Sequence, residues 1–132
     1  VGKAGDLPKW IYAKLSFVFG IDISKDNIEN RLDGACARFL VYRRKFKYMP
    51  YALFVNGNSS VNIKNGDALY SDKAKQITRA VFGDGPKDES TLGKGVYRQY
   101  GKASDGFNIS SCQFATHYFF ETPQTIFGSW VL

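Results

Sequence analysis

One run of strand length is almost continuously apolar: Ser16-Phe17-Val18-Phe19-Gly20-Ile21-Asp22-Ile23. Strands that are buried on both faces of a parallel sheet have this composition, whereas strands with one wet face alternate. The run closes at Asp22, and a charged carboxylate is rarely buried without a partner. We therefore expect Asp22 either to face a ligand crevice or to cap the next helix. Because Ser24 is the better placed cap, we favour the ligand role.

A glycine-rich turn, Gly2-Lys3-Ala4-Gly5, precedes this run and opens a helix. Such a turn brings backbone N–H groups and the positive end of a helix dipole toward an anionic ligand. The turn matches neither the P-loop nor the dinucleotide fingerprint in full, so a plain loop before a helix is the alternative. The helix is predicted by Pro8 in its first turn and by apolar residues at helical spacing: Leu7, Trp10, Ile11 and Leu15.

A second helix is predicted to start at Ser24, which is followed by Asp26 in the first turn. Its apolar stripe comprises Ile28, Leu32, Cys36, Phe39 and Leu40. A basic cluster closes the helix: Arg43, Arg44, Lys45 and Lys47. Cations at the C-terminus of a helix are ordinary capping charges, and RNA contact is the alternative.

Two further runs are predicted to be strands, at Tyr51–Val55 and at Phe107–Ser111. The first run breaks at 56–60, which is either a hairpin turn or a polar loop that presents Asn58 or Ser59 to a ligand. A last helix is predicted from Thr122 and Pro123 to the end of the chain. Strands that alternate with helices indicate an α/β fold with a parallel sheet.

Residues 61–104 look like an insertion in this pattern. Ser71 begins a helix that has Ala74, Ile77, Thr78 and Val81 on one face. The chain is then rich in turn residues from 83 to 90, and we expect a flexible segment at 93–95. Aromatic and basic residues interleave at Tyr97, Arg98, Tyr100 and Lys102. This interleaving suits an RNA surface, a lid or a packing element.

Composition limits the function classes. The chain has 132 residues, 18 Lys and Arg, and 12 Asp and Glu, so its formal charge is +6. This length suits one domain, and the charge suits an anionic partner such as nucleic acid. Cys36 and Cys112 are not in metal-ligand spacing, which favours reduced thiols. We therefore expect no metal site. No signal peptide is visible and no apolar run reaches membrane-span length, so we expect a soluble intracellular protein.

Four stretches carry a resemblance to a known family. They are Gly2-Lys3-Ala4-Gly5-Asp6-Leu7-Pro8-Lys9-Trp10; Gly20-Ile21-Asp22-Ile23-Ser24; Arg43-Arg44-Lys45-Phe46 leading to Phe54-Val55-Asn56-Gly57-Asn58-Ser59-Ser60; and Ser111-Cys112-Gln113-Phe114-Ala115-Thr116-His117-Tyr118-Phe119-Phe120-Glu121. In this order they resemble the mRNA cap guanine-N7 methyltransferases, which use S-adenosylmethionine. The fourth stretch is the most specific. The resemblance covers the chain apart from 61–104. A chain with a long insertion at this place resembles the capping enzymes of large DNA viruses more than the cellular enzymes.

The resemblance implies a Rossmann-like class I methyltransferase fold and a role for each matching residue. Lys3 and the backbone from Gly2 to Gly5 would hold the methionine end of S-adenosylmethionine, and Asp22 would bind its ribose. Asn58 and Ser59 would contact the adenine, and Gln113 would line the methyl-donor pocket. His117 and Tyr118 would face the guanine of the cap. No residue is implied as a general base.

Two positions depart from the family pattern. Ala4 replaces a usual glycine, and its methyl group is expected to crowd the carboxylate of the donor slightly. Asn58 replaces a usual aspartate, so the adenine amino group would meet an acceptor oxygen without a charge. The resemblance also implies a partial domain, with the first strand and the C-terminal strands of the sheet outside this chain. The implied partners are the capped 5′ end of an mRNA and the rest of a larger capping enzyme.

Two other functions remain open from the sequence. The chain is either a methyltransferase for a different substrate or a non-catalytic RNA-binding module that keeps the fold. The pair His117 and Tyr118 argues against the first, and Asn58 supports the second. The expected location is the nucleus or cytoplasm, or a virus factory or virion if the protein is viral, with no membrane partner.

Overall fold

The structure is a computed structural model, and it describes residues 1–112. Within these residues the protein is a mixed α/β protein with a two-stranded parallel sheet and six helices. The elements are α1 (Leu7–Tyr12), β1 (Phe17–Asp22), α2 (Lys25–Glu29), α3 (Ala35–Lys45), β2 (Tyr51–Asn56), α4 (Asp72–Val81), α5 (Glu89–Leu92) and α6 (Lys94–Tyr97). The chain divides into two compact units, Val1–Asn56 and a unit that starts at Gly57.

The sheet of the first unit confirms the predicted parallel pairing. β1 and β2 run in register from Phe17 opposite Tyr51 to Asp22 opposite Asn56. The helices α2 and α3 connect the two strands, as parallel strands require a crossover connection. The core of this unit is formed by Ala4, Leu7, Ile28, Ala35 and Phe54, all buried. The ring of Phe54 lies 6.2 Å from the rings of both Trp10 and Phe39.

The prediction of a single helix from Ser24 is wrong in one respect, because the structure has two helices there, α2 and α3. Asn30 ends α2, and its side-chain oxygen accepts hydrogen bonds from the N–H groups of Leu32 and Asp33. Gly34 then starts α3 so close to Asn30 that a Cβ would lie 2.6 Å from the Asn30 nitrogen. The predicted apolar stripe is therefore split: Ile28 is buried, whereas Leu32 is 91% exposed.

The predicted strand at Phe107–Ser111 is also wrong. These residues adopt no strand, and Ile109 is 77% exposed. Phe107 instead packs edge-on against Phe82, with ring centroids 6.0 Å apart. A short apolar run does not become a strand unless another strand pairs with it, and none of the described residues does so here. The helix predicted from Thr122 lies outside the described residues.

The second unit is built around α4, which begins where the sequence predicts. The Ser71 hydroxyl caps α4 by accepting the N–H of Ala74 at 3.0 Å. Thr78 and Val81 are fully buried on its inner face. At 93–95, where the sequence predicts a flexible segment, Gly93 separates α5 from α6 with φ +84°, and Lys94 and Gly95 begin α6.

The described part of the chain, residues 1–112, forms no hairpin at Asn56 and Gly57. β2 pairs in parallel with β1, and Gly57 makes only an isolated antiparallel bridge to Leu69. Of the alternatives open from the sequence, the polar loop is therefore the one observed. None of the helices that the structure describes is long and apolar enough to cross a membrane.

Candidate cofactor-binding site

Asp22 is the organising residue at the carboxyl end of β1. Its Oδ2 accepts the backbone N–H of Gly2 at 2.8 Å. Its Oδ1 accepts the backbone N–H of Ser24 at 2.8 Å and the side-chain amide of Asn27 at 3.1 Å. One carboxylate thus holds the glycine turn, the end of β1 and the start of α2 together.

These contacts set the charge of the site. Burial of Asp22 acts to raise its pKa, but hydrogen bonds from Ser24, Gly2 and Asn27 and the positive amino group of Val1 together act more strongly, so the pKa of Asp22 is lowered. Asp22 is therefore ionised at neutral pH. A fixed negative charge that remains an acceptor is suited to binding hydroxyl donors.

The glycine turn is wound through two left-handed residues, Gly2 at φ +56° and Ala4 at φ +58°. Glycine adopts this conformation without steric cost, whereas alanine does not. Ala4 is only 1% exposed and belongs to the core cluster of the first unit, where its burial offsets part of that cost. The structure therefore places Ala4 in the core of the unit.

Two backbone N–H groups of this turn, those of Lys3 and Gly5, have no hydrogen-bond acceptor within residues 1–112. Gly5 is exposed, and a Cβ built on it would meet nothing within 4 Å. The turn therefore presents backbone donors at an open position, as anion sites do.

The side chain of Lys3 points to two acidic residues. Its Nζ lies 2.8 Å from Asp33 Oδ2 and 3.9 Å from Asp26 Oδ2. The backbone carbonyl of Lys3 accepts a hydrogen bond from the guanidinium of Arg38 at 3.3 Å. In this structure Lys3 therefore ties the turn to the segment between α2 and α3, and its predicted contact with a methionine carboxylate remains a prediction.

Two asparagines of the site were missed by sequence reasoning. Asn27 lies in the first turn of α2 and donates to Asp22. Asn56 ends β2, and its side-chain amide donates to the carbonyl oxygens of Asp22 and Ile23, both at 2.9 Å. The available signal was the polar residue at the end of each strand, since parallel strands end at the same edge. The sequence instead places Asn56 in the break at 56–60, as part of either a hairpin turn or a polar loop.

Asn58 and Ser59 belong to the second unit. The side-chain oxygen of Asn58 accepts the N–H of Ser60 at 3.0 Å and its hydroxyl at 2.6 Å, and the Asn58 N–H donates to the carbonyl of Ala68. Asn58 therefore shapes its own loop. The remaining predicted site residues, Gln113, His117 and Tyr118, lie outside the described residues.

The described part of the site thus joins Gly2 and Asp22, which the sequence predicted, to Asn27 and Asn56, which it did not. Among residues 1–112 no group of three His, Cys, Asp or Glu side chains is placed to hold a metal ion. The chemistry available is hydrogen bonding to an anion at the turn and to hydroxyls at Asp22. No protein-family model, curated protein or solved structure matches this chain.

Proposed function

We propose that the chain is part of an mRNA cap guanine-N7 methyltransferase of the Rossmann-like class I fold. It would transfer a methyl group from S-adenosylmethionine to N7 of the cap guanine and release S-adenosylhomocysteine. The observation that carries this proposal is the 2.8 Å hydrogen bond from Gly2 N–H to Asp22 Oδ2. It brings two of the four resembling stretches to one point, at the carboxyl end of a parallel strand, where ligands of α/β sheets bind.

The donor would bind across this point. A carboxylate offers about four acceptor positions. Gly2, Ser24 and Asn27 donate to Asp22 within 3.1 Å, and the amino group of Val1 makes a longer contact of 3.5 Å with its Oδ2. A ribose hydroxyl would replace Val1 at this fourth position. The N–H groups of Lys3 and Gly5 would receive the methionine carboxylate, which completes a site for both ends of the donor.

The other roles follow from the resemblance. Asn58 and Ser59 would contact the adenine, Gln113 would line the methyl-donor pocket, and His117 and Tyr118 would bind the guanine. Tyr118 supplies a flat apolar face and a hydroxyl to the purine.

The reaction needs no general base. The N7 lone pair of guanine attacks the sulfonium methyl directly, the carbon–sulfur bond breaks in line, and no proton has to leave first. Proximity, orientation and a matched electrostatic environment are enough to supply most of the rate. His117 is therefore assigned to purine binding.

Two measurements on the intact polypeptide that contains residues 1–132 test the proposal. The first is calorimetric titration with S-adenosylhomocysteine, for which we expect one site. The second is transfer of labelled methyl from S-adenosylmethionine to capped RNA. The matched control is RNA whose cap carries 7-deazaguanine, which lacks the N7 nucleophile. We expect transfer to the normal cap alone. Equal transfer to both caps would assign the chemistry to another RNA atom.

One observation favours a non-catalytic RNA-binding module as the second candidate. The side-chain oxygen of Asn58, predicted to contact adenine, is bound by both the N–H and the hydroxyl of Ser60. A module of this kind would bind RNA without S-adenosylhomocysteine. The same titration separates the two candidates, because only the enzyme has to bind the donor product.

A further inference from the structure

We propose that residues 43–51, where α3 ends and β2 begins, form a binding surface for single-stranded RNA. We call this segment the α3–β2 surface. It lies entirely within the first unit and is separate from the cofactor site. The proposal does not depend on methyl transfer, because it concerns the body of an RNA strand rather than its cap.

The α3–β2 surface carries positive charges that no acidic side chain of the described residues neutralises. Its four cations, Arg43, Arg44, Lys45 and Lys47, are all exposed. None of them has an ion pair or hydrogen bond to another side chain within the described part of the chain. No Asp or Glu occurs from residue 34 to residue 55. The segment therefore concentrates positive potential that attracts a polyanion.

Capping of the α3 dipole does not account for all of this charge. The favourable effect of a cation falls off within the last turn of a helix. Lys47 lies beyond Phe46, which already has extended backbone angles and ends α3. Helix capping also offers no reason for the aromatic residues that are mixed with the cations.

Three aromatic side chains of the surface are unusually open. Phe46 is 45% exposed, Tyr48 is 43% exposed and Tyr51 is 51% exposed. The ring of Phe46 stacks on Tyr42 at 5.6 Å with an interplanar angle of 9°. This stacking fixes the orientation of the Phe46 ring. Fixed aromatic faces beside cations are the elements on which unpaired bases stack in proteins that bind single strands.

A groove of about 220 Å³ runs along this surface. Phe46, Met49 and Tyr51 give it apolar walls, and Arg43 and Lys47 also line it. Its volume is below the roughly 300–1,000 Å³ of pockets for drug-sized ligands. We assign it to one base seated against the aromatic rings, with the neighbouring phosphates on the two cations.

The surface lies at the opposite end of the sheet from Asp22. Tyr51 is the first residue of β2 and pairs with Phe17, whereas Asp22 is at the far end of β1. A strand of six residues spans about 20 Å. A base in the groove would therefore belong to a different nucleotide from any group bound at Asp22.

The other interleaved aromatic and basic cluster of the chain does not share these properties. Lys87 covers the rings of Tyr97 and Tyr100, with Nζ 5.6 and 5.7 Å from their centroids. The hydroxyl of Tyr100 donates to the carbonyl oxygens of Gly83 and Gly85. These tyrosines are used in packing the second unit, so the observations favour the α3–β2 surface as the RNA site.

The test is fluorescence anisotropy with a labelled, uncapped 15-nucleotide oligouridine. The charge variant is Arg43→Gln, Arg44→Gln, Lys45→Gln and Lys47→Gln together. Each lost phosphate contact lowers the salt slope of log K by about 0.7 for a single strand, so we expect the slope to fall by about 2 to 3. The matched control changes Lys73, Lys75, Lys94 and Lys102 to Gln, which removes the same net charge from the second unit and is expected to leave the slope nearly unchanged.

The stacking variants are Phe46→Leu and Phe46→Tyr. We expect Phe46→Leu to weaken binding roughly 5- to 100-fold, since one stacked base is lost. We expect Phe46→Tyr, which keeps an aromatic ring, to bind like wild type. Circular dichroism of each variant checks that its fold is unchanged. Equal loss in the charge variant and its matched control would overturn the proposal. So would tighter binding of a polyglutamate peptide or phosphatidylserine vesicles than of the oligouridine, because the surface would then serve an acidic protein or a lipid surface.

Discussion

At the scale of single residues, Asp22 combines a structural role with a proposed binding role. Removal of its side chain would abolish both at once. Its carboxylate holds Gly2, Ser24 and Asn27 within 3.1 Å and is also the proposed ribose acceptor. Replacement by alanine would leave three donors without an acceptor, so lost ligand binding would also reflect a disturbed turn. A substitution of the same shape is therefore the more informative one.

Asp22→Asn is expected to weaken binding of S-adenosylhomocysteine about 10- to 100-fold, the range for loss of hydrogen bonds to a charged group. The amide keeps one acceptor oxygen but loses the charge and the second acceptor. Calorimetric titration measures the effect. The exposed Asp105→Asn is the control for simple loss of charge, and equal affinities of the two variants would remove the ribose role from Asp22.

The lowered pKa of Asp22 predicts a pH dependence of stability. Because the folded state binds a proton at Asp22 less readily than the unfolded state, ionised Asp22 stabilises the fold above the ordinary aspartate pKa of about 3.9. This stabilisation is lost as the pH falls through that value toward the lower pKa of the folded state. In urea unfolding we expect wild type to exceed Asp22→Asn in stability at pH 6, and the gap to narrow by pH 3. A gap that stays constant would show that Asp22 is not held by these hydrogen bonds.

At the scale of the elements, β1 packs tightly against β2 and against the start of the chain at Gly20. A Cβ at Gly20 in β1 would lie 2.7 Å from Phe54 Cδ1 and 3.0 Å from Val1 Cγ2. Gly20→Ala should therefore lower the free energy of unfolding by about 1–3 kcal/mol, the usual range for overpacking. Urea unfolding of the protein, monitored by circular dichroism, measures this change in the free energy of unfolding.

Gly5→Ala is the matched control for this substitution, because a Cβ at Gly5 meets nothing within 4 Å. A surface change of this kind is expected to stay within about 0.5 kcal/mol of wild type. The double variant Gly20→Ala with Phe54→Leu should recover part of the loss, since a smaller side chain then faces the new methyl group. Equal effects of Gly20→Ala and Gly5→Ala would contradict the packing described here.

The elements that the sequence predicts correctly are those with strong local signals. Ser24 and Ser71 are side-chain caps where the sequence places them. β1 lies within its predicted apolar run, and β2 extends one residue beyond its predicted run, to Asn56. The errors occur where a contact made on folding decides the outcome. Gly34 packs on the backbone of Asn30 and breaks a helix, and Phe107 packs on Phe82 rather than joining a sheet.

At the scale of the whole molecule, a ligand at the proposed donor site is expected to affect the first unit and to leave the helices of the second unit unchanged. S-adenosylhomocysteine is expected to slow amide hydrogen exchange in the glycine turn 2–5 and at Ser24, because binding there opposes local opening. The helices α4 and α6 should exchange at unchanged rates. Hydrogen exchange read by mass spectrometry checks this, and protection confined to 57–112 would relocate the site.

The site as a whole is only partly predictable from sequence. The glycine turn and Asp22 are visible because both follow known ligand-binding positions in α/β sheets. Their direct contact, and the cross-strand bonds of Asn56 to the carbonyl oxygens of Asp22 and Ile23, depend on the register of β1 with β2. Register between strands so distant in sequence is set by tertiary packing, which local patterns do not encode.

The parallel pairing also determines when the first unit becomes able to fold during synthesis. Every residue of β1 pairs with one that is 34 positions later, from Phe17 with Tyr51 to Asp22 with Asn56. At about 5–20 residues per second, a ribosome makes this interval in roughly 2 to 7 seconds. Throughout that time the apolar residues of β1 have emerged before their partner strand exists. The nascent chain therefore presents a site for chaperones between these two moments, and slower translation of 23–50 would lengthen it.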